Sequence, residues 1–494
     1  MARHEWSPYQ LAVFDEVENG KGHVLITARA GCAKTTTIVE AANRLDGNSS
    51  ILMCAFNKEI ANELDRKVLG HVRVSTLHAL GFKALQKAWP SVGRIEPNQQ
   101  KERDVLKKVL KAAYGDAEIR GDLLELTRKA KAFVVDDAKS LENLMTKYDC
   151  APTLDADKLV PRYINWAQEM LAEFRKPSAM ITFDDMIYVP AYLKLSTGRY
   201  GYVFVDETQD LNPAQFILAT GALSSTGRLF FVGDDKQAIY AFRGADANTI
   251  PKIREMFSPK ELKLTVTYRC PRKIVQIAQN IVPDFQAAPS APEGVVEHVG
   301  DTYMKKNWKT GDFVIARVNA VLVSLCLEAL ADGIPAYMVG RDIGQGLIKM
   351  IEKSKADTIE ELVAYTREWQ QLETQRAVSS EEDESKINMI ADKANSLIRL
   401  ARDASSIQGL TAFIRGLFDE DKKGDTIQPR IAFMSCHKAK GLENPRVWVI
   451  ANTFRTGKTQ EEDNLYYVAI TRAQAELYLV TLPKKGGKEE KLGQ

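Results

Sequence analysis

The feature that most constrains this chain is an alternation of short apolar runs with helical stretches. His23-Val-Leu-Ile-Thr27 is an apolar run of strand length; a Gly/Ala turn and a helical pattern from Thr35 to Leu45 follow it. Ile51 to Phe56 repeats the strand signal, with a helical pattern from Lys58 to about Leu69 behind it, and Val72–Ser75 reads as a third strand. Strands that alternate with helices predict a parallel sheet. Ahead of them, residues 8–19 form a short amphipathic pattern opened by Ser7-Pro8.

From about Gly81 to Lys176 the pattern changes to long helical stretches rich in Lys, Leu and Ala. Strand signals return at Ile181-Thr182-Phe183, Tyr202–Val205 and Leu229–Val232. A Pro/Ala-rich loop, Pro283 to Pro292, marks a boundary. Beyond it, Val295–Val299, Phe313–Ala316, Ala336–Val339, Ile431–Ser435 and Val447–Ile450 read as strands. Residues 348–423 are helical and charged, and their acidic run Glu381–Glu384 reads as a solvated loop. The expected organisation is therefore two α/β domains, each interrupted by a helical insertion. The first takes residues 1–80 and 177–272, with 81–176 inserted. The second takes 273–347 and 424–483, with 348–423 inserted. The composition of residues 484–494 predicts a disordered tail.

Composition removes several classes. The 494 residues suffice for more than one core. No apolar run approaches the ~18 residues of a membrane helix, and the N-terminus lacks a signal-peptide pattern. The six cysteines form no C-x-x-C pair, so neither a disulfide framework nor a zinc signature is present, and a reducing, cytoplasmic setting is expected. With a net charge of only +2, nucleic-acid binding would need a local groove rather than bulk charge.

Two segments carry candidate chemistry. Residues 28–35 read A-R-A-G-C-A-K-T directly after the first strand. A helix opening there offers free backbone N–H groups and a positive dipole end to phosphate. Lys34 would reach the β/γ phosphates and the Thr35 hydroxyl would ligate Mg²⁺. Ala28 and Ala33 stand where the G-x-x-x-x-G-K-[ST] pattern has glycine, so a plain strand-to-helix turn fits this segment about as well. The second segment, Val203-Phe-Val-Asp206-Glu207-Thr-Gln209-Asp210, sets two carboxylates at the end of a buried strand. Asp206 would hold Mg²⁺, largely through water, and Glu207 would polarise an attacking water. Alone, the pair could equally be two solvated acids.

A third segment, V-G-D-D-K-Q-A-I-Y-A-F-R-G-A at 232–245, decides between these readings. Together with D-E-T-Q-D it closely resembles the UvrD/Rep family of superfamily I DNA helicases. The resemblance extends through Gln10, Ala55-Phe-Asn-Lys58, Ser75-Thr-Leu-His78, Thr182-Phe-Asp-Asp185, Tyr268-Arg269, Arg317-Val-Asn-Ala320, Ser435–Glu443 and Tyr467–Arg472. It covers both α/β domains and neither insertion. Cys32 and Ala33 depart from the family pattern, and Thr36 or Thr37 stands where relatives often carry an adenine-contacting Arg.

The resemblance implies an α/β fold of two RecA-like P-loop NTPase domains with parallel sheets, with ATP and Mg²⁺ bound in the cleft between them. Ala30, Gly31, Cys32, Ala33, Lys34, Thr35 and Thr36 would hold the nucleotide, with Thr35 and Asp206 as metal ligands. Gln10 would read adenine, Tyr268 would stack on it and Glu443 would bond the ribose. Glu207 is implied as the base and Gln237 as the γ-phosphate sensor. Arg269 and Arg472 are implied as arginine fingers, since cationic groups stabilise charge that spreads over phosphate oxygens in the transition state. Single-stranded DNA would contact Phe56, Asn57, Thr76, His78, Tyr240, Phe242, Arg243, Ser435 and His437, with the aromatics as stacking platforms.

The implied activity is ATP-driven 3′-to-5′ translocation on single-stranded DNA with duplex unwinding at single-strand/double-strand junctions, in replication, repair or recombination. Expected partners are DNA and replication or repair proteins. No membrane association is expected, and the protein is expected to be a cytoplasmic monomer, bacterial or phage-encoded. Larger relatives carry a much longer second insertion, and the short stretch after Thr471-Arg472 leaves a helicase–nuclease fusion unexpected. Two alternatives remain: a translocase that strips proteins from DNA and unwinds weakly, and a nucleotide-regulated DNA-binding protein with poor hydrolysis, suggested by Ala33.

Overall fold

A computed structural model describes residues 6–55, 57–90, 96–98, 100–148, 150, 156–239, 249–379, 384–418 and 429–483. The chain divides into two compact units, Met1–Thr265 and Val266–Gln494. The division falls a little before the expected boundary at 272. Val266–Thr267 (β9) pairs in parallel with Gln286–Ala287 (β10), which ties this short segment to the second unit.

The first unit is built on a six-stranded sheet. Its strands are Val24–Ala28 (β1), Ile51–Ala55 (β2), Val72–Thr76 (β3), Tyr200–Val205 (β6), Leu223–Gly233 (β7) and Lys260–Leu264 (β8). Their order is β3-β2-β6-β7-β1-β8, and every pairing is parallel. The apolar runs are buried as expected for a parallel sheet: Val24, Ile26, Leu52, Met53, Val203, Phe204, Phe230 and Phe231 are all essentially inaccessible. β8 carries charge at Lys260, Glu261 and Lys263, and only its last residue, Leu264, is buried, which suits an edge strand and hides it from an apolar-run search. The opening helix, Pro8–Asn19, starts in a capping box: the Gln10 N–H donates to Ser7 Oγ, and the Ser7 N–H donates to Gln10 Oε1.

The expected strand at 181–183 is not part of this sheet. Only Met180–Ile181 (β5) is extended, and it pairs with Glu96–Pro97 (β4) in a separate two-stranded ribbon. The chain then turns. The Thr182 N–H donates to Asp185 Oδ2, and the Asp185 N–H donates to Thr182 Oγ1, so side-chain bonds replace ladder bonds and lead into the helix Asp185–Tyr192. Helices Gln100–Leu110, Ala117–Phe133, Ala138–Tyr148 and Ala156–Phe174 pack around Leu123, Leu126, Tyr163, Met170 and Phe174. In that core Asp185 receives Lys101 at 3.0 Å and Lys131 at 2.8 Å.

The second unit has its own six-stranded parallel sheet, in the order β11-β16-β15-β12-β14-β13. The strands are Val295–Gly300 (β11), Phe313–Ala316 (β12), Ala336–Met338 (β13), Ile431–Ser435 (β14), Asn444–Ile450 (β15) and Ala473–Thr481 (β16). β16 follows directly on Thr471-Arg472 and was not anticipated as a strand. Near its start, Gln474–Glu476 is half-buried or exposed, and the buried run Leu477–Val480 follows it. Trp448 on β15 stacks on Tyr478 of β16, its register partner, at 4.1 Å. Helices Arg341–Ser354, Ile359–Ser379, Glu384–Ala401 and Ile407–Leu417 bury Leu362, Leu397, Leu410 and Ile414. Among the described residues, no helix is long and apolar enough to cross a membrane.

Candidate functional site

β1 delivers the chain into the loop 29–33, and the helix Lys34–Asn43 begins immediately after it. Two residues of the loop sit in the left-handed region, Gly31 at φ 67° and Ala33 at φ 57°. Glycine adopts this freely; an alanine there costs about 1–2 kcal/mol. Strain of this kind is held where a loop clamps a ligand. No side chain caps the helix, so its first turn keeps the backbone donors and positive dipole end that suit a phosphate.

Lys34 leads into two acids at the end of β6. Its Nζ lies 3.0 Å from Asp206 Oδ1 and also pairs with Glu207. Burial alone would lower the Lys34 pKa, but the two carboxylates outweigh it and keep the ammonium charged. Burial pushes the Asp206 carboxyl up, against the pull of Lys34. Asp206 Oδ1 also accepts the Glu207 N–H at 2.8 Å, and Glu207 itself is left-handed at φ 50°. Both strained non-glycine residues of this cluster, Ala33 and Glu207, thus flank Lys34.

The network continues through Gln209, Asp234 and Arg29, to which the motifs alone gave no role, and reaches Gln237. Gln209 donates through Nε2 to Glu207 Oε2 at 2.6 Å and accepts the Asp234 N–H at 3.0 Å. Asp234 sits just past β7; its Oδ2 accepts Gln237 Nε2 at 2.7 Å and its Oδ1 accepts the Lys236 N–H at 3.1 Å. Arg29, back in the phosphate loop, places one guanidinium nitrogen 3.0 Å from Asp234 and 2.7 Å from Asp235. At Gly233 a Cβ would lie 2.4 Å from Gln209 Oε1, so a side chain there would push this amide off the Asp234 N–H.

The expected adenine reader, Gln10, is buried, and its Nε2 donates to Thr37 Oγ1 at 2.9 Å. Thr37, whose hydroxyl also donates to the Ala33 carbonyl, faces Gln10, whereas Thr36 is exposed. Ala30 and Cys32 are buried, Thr35 is half-buried, and burial pushes the Cys32 thiol up to about 12, so it stays protonated.

Of the expected DNA contacts in this unit, Phe56, Tyr240, Phe242 and Arg243 lie outside the described residues. Asn57 and Thr76 are N-caps: Asn57 Oδ1 accepts the Ile60 N–H at 2.8 Å and Thr76 Oγ1 accepts the Ala79 N–H at 3.1 Å. His78 lies in the first turn of the helix Leu77–Ala88, where burial lowers its pKa against the opposing charge of Asp184.

In the second unit Tyr268 is 47% exposed. Its neighbour Arg269 pairs with Glu443 at 2.5 Å, and Glu443 also accepts Gln474 Nε2 at 2.8 Å. Arg472 differs: at 1% exposure it donates to the Val468 and Leu442 carbonyls and to Thr471 Oγ1. Burial first, and then the charge of Arg269, lower its pKa to about 10. Ser435 is the buried last residue of β14, and His437 lies in the short helix Cys436–Ala439 that follows.

A parallel sheet with a strained loop at a helix N-terminus, a lysine in that loop and two acids at a neighbouring strand end defines the phosphate-loop class of nucleotide-binding proteins. The UvrD/REP helicase N-terminal domain matches residues 11–258, and the UvrD-like helicase C-terminal domain matches residues 430–480. The chain belongs to the UvrD/REP helicase family, with two RecA-like α/β domains. It is 24% identical over 291 residues to the ATP-dependent DNA helicase Rep of Buchnera aphidicola subsp. Baizongia pistaciae, covering 53% of this chain and 41% of that protein. It is 27% identical over 326 residues to DNA helicase IV of Escherichia coli K12, covering 56% and 47%. The F-box DNA helicase protein 1 of Schizosaccharomyces pombe aligns over 94% of this chain and 56% of its own length, at 24% identity. The chain thus spans about half the length of the curated relatives it matches.

Proposed function

We propose that this chain is an ATP-dependent DNA helicase that moves 3′ to 5′ on single-stranded DNA and opens duplex at single-strand/double-strand junctions. The observation that carries the reading is the convergence of Lys34, Asp206 and Glu207 on one point beside the strained loop. Membership of the helicase family supplies the DNA and the ATP. The direction of movement, a monomeric state, a cytoplasmic setting and work alongside replication or repair proteins rest on resemblance alone.

The donor set fits Mg²⁺. That ion takes one or two protein oxygens and leaves its other positions to water and phosphate, and Asp206 with Thr35 offers such a pair. When bound, Mg²⁺ would neutralise charge on the β and γ phosphates. The loop amides and Lys34 hold the phosphates. Glu207 orients the attacking water and accepts its proton, while Gln237 senses the γ-phosphate. Arg269 and Arg472 are the candidate cations for charge developing in the transition state. Gln10, Tyr268 and Glu443 are assigned to the nucleoside. Tyr240 and Phe242 are assigned to base stacking, with Phe56, Asn57, Thr76, His78, Arg243, Ser435 and His437 as further DNA contacts.

The test is steady-state ATP hydrolysis with and without single-stranded DNA, with Lys34→Ala as control, followed by unwinding of duplexes tailed at either end. Turnover stimulated by DNA, lost in the control, supports the motor. Opening of 3′-tailed duplexes only supports the polarity. Stimulated turnover without unwinding would favour a protein-stripping translocase. ATP binding without turnover would replace the motor with a nucleotide-regulated DNA-binding protein.

A further inference from the structure

We infer that Arg29 is a positioning residue for the reaction: it anchors Asp234, and through Asp234 it holds both the Gln237 amide and the Gln209–Glu207 pair in place. The inference rests on the functional reading above and extends it to a residue outside the expected site. Lys34 and Arg29 belong to the same loop. Lys34 binds Glu207, Glu207 accepts from Gln209, Gln209 accepts from the Asp234 N–H, and Asp234 binds Arg29. The chain of bonds therefore leaves the phosphate loop at one cation and returns to it at another. The ends of β6 and β7 are tied to the loop at two points rather than one.

The burial of the pair explains why this tie matters. The Arg29 and Asp234 side chains are 8% and 2% exposed, so neither charge has much water to fall back on. A buried charge stripped of its partner is costly, and the group left behind neutralises or moves. Burial already pushes the Asp234 carboxyl up, and the Arg29 charge opposes this. Without Arg29, Asp234 would take up a proton or swing toward solvent. Either change disturbs the oxygen that orients Gln237 and the backbone N–H that orients Gln209. Arg29 reaches Asp235 as well, so the guanidinium fixes two successive residues of the turn after β7.

The test is steady-state ATP hydrolysis by the full chain with saturating single-stranded DNA, for the unaltered protein, Arg29→Met, Asp234→Asn and the double variant. Arg29→Met is expected to lower kcat roughly 10- to 100-fold, the scale of a small misplacement of reacting groups, with KM for ATP changed less than about threefold. Arg29→Lys should recover a large part of kcat, because it keeps the charge. The double variant should be no worse than the poorer single variant, since both break one link. Effects that multiply in the double variant, a loss confined to KM, or an unchanged kcat would each overturn the inference. Thermal melting accompanies every variant. Should Arg29→Met not fold, Arg29→Gln, which keeps hydrogen-bonding capacity without charge, takes its place in the same cycle. Absence of turnover in the unaltered protein would refute the helicase reading and this role with it. Normal turnover in both the unaltered protein and Arg29→Met would refute the role of Arg29 alone.

Discussion

Both units rest on six parallel strands, yet the polar groups beyond their strand ends are organised differently. In the first unit Lys34, Asp206, Glu207, Gln209, Asp234, Gln237 and Arg29 form one connected set of bonds reaching over three strand ends. In the second unit the two motif arginines are held in different ways. Arg269 and Glu443 make a partly exposed ion pair, whereas Arg472 is enclosed among backbone carbonyls. A pre-connected, strained network suits a fixed phosphate site, where the geometry must exist before the ligand arrives. Arginines held one by a carboxylate and one by backbone carbonyls suit an element that contributes single side chains. Two sheets of like construction thus carry unlike chemistry, and the difference lies in the loops.

The sharpest way to break this comparison is Glu207→Gln. If the first unit holds the hydrolytic machinery, kcat should fall by about 10²–10⁴-fold, the range for losing a general base, while ATP binding persists. Single-turnover hydrolysis and a fluorescent-nucleotide titration read the two separately, and unchanged turnover would remove Glu207 from its assigned role.

The second comparison sets Arg472 against Arg269. Arg472→Met removes a buried guanidinium and its bonds to the Val468 and Leu442 carbonyls and to Thr471 Oγ1, and should destabilise the protein by about 1–3 kcal/mol. Arg269→Ala gives up a partly exposed pair and should cost about 0–1 kcal/mol. Denaturant titration of both variants decides this; equal losses would mean that both arginines are structural to the same degree.

A smaller effect is expected at the strained loop. Ala33→Gly should relieve the left-handed backbone and stabilise the first unit by about 1 kcal/mol. A lower melting temperature would show that the methyl group has packing value there.

The smallest concerns pH. Burial lowers the His78 pKa below 6.5, so in the window below that value the folded protein binds fewer protons than the unfolded chain, and stability falls as pH falls. His23 shifts in the same direction. Melting between about pH 7.5 and about pH 5.5 should therefore show a slope that His78→Gln reduces without removing it. An unchanged slope would place the titration elsewhere.

Much of the fold was legible in the residues. Phe313–Ala316 and Ile431–Ser435 form strands with the expected ends, because continuous apolar runs have one favourable place in a parallel sheet. The segment 181–183 misled, since Thr182 and Asp185 satisfy each other's backbone and turn the chain. Lys260–Leu264 escaped notice because an edge strand needs only one buried face.

The site divides in the same way. Lys34, Asp206 and Glu207 were readable because each stands in a local motif whose residues are neighbours in sequence. Arg29 and Asp234 stand in quoted motifs too, but 205 positions separate the two partners. A local pattern can place a charge at a strand end or in a loop; it cannot say which distant charge will meet it. That is decided by strand order: β1 lies beside β7, and β7 lies beside β6, so the loop after β1 and the turns after β6 and β7 are brought together. The residues alone determined the class of fold and named Lys34, Asp206 and Glu207 as candidates for a phosphate site. Only the tertiary structure joined the loop to both strand ends, because sheet adjacency and burial, not sequence distance, set which polar groups must satisfy one another.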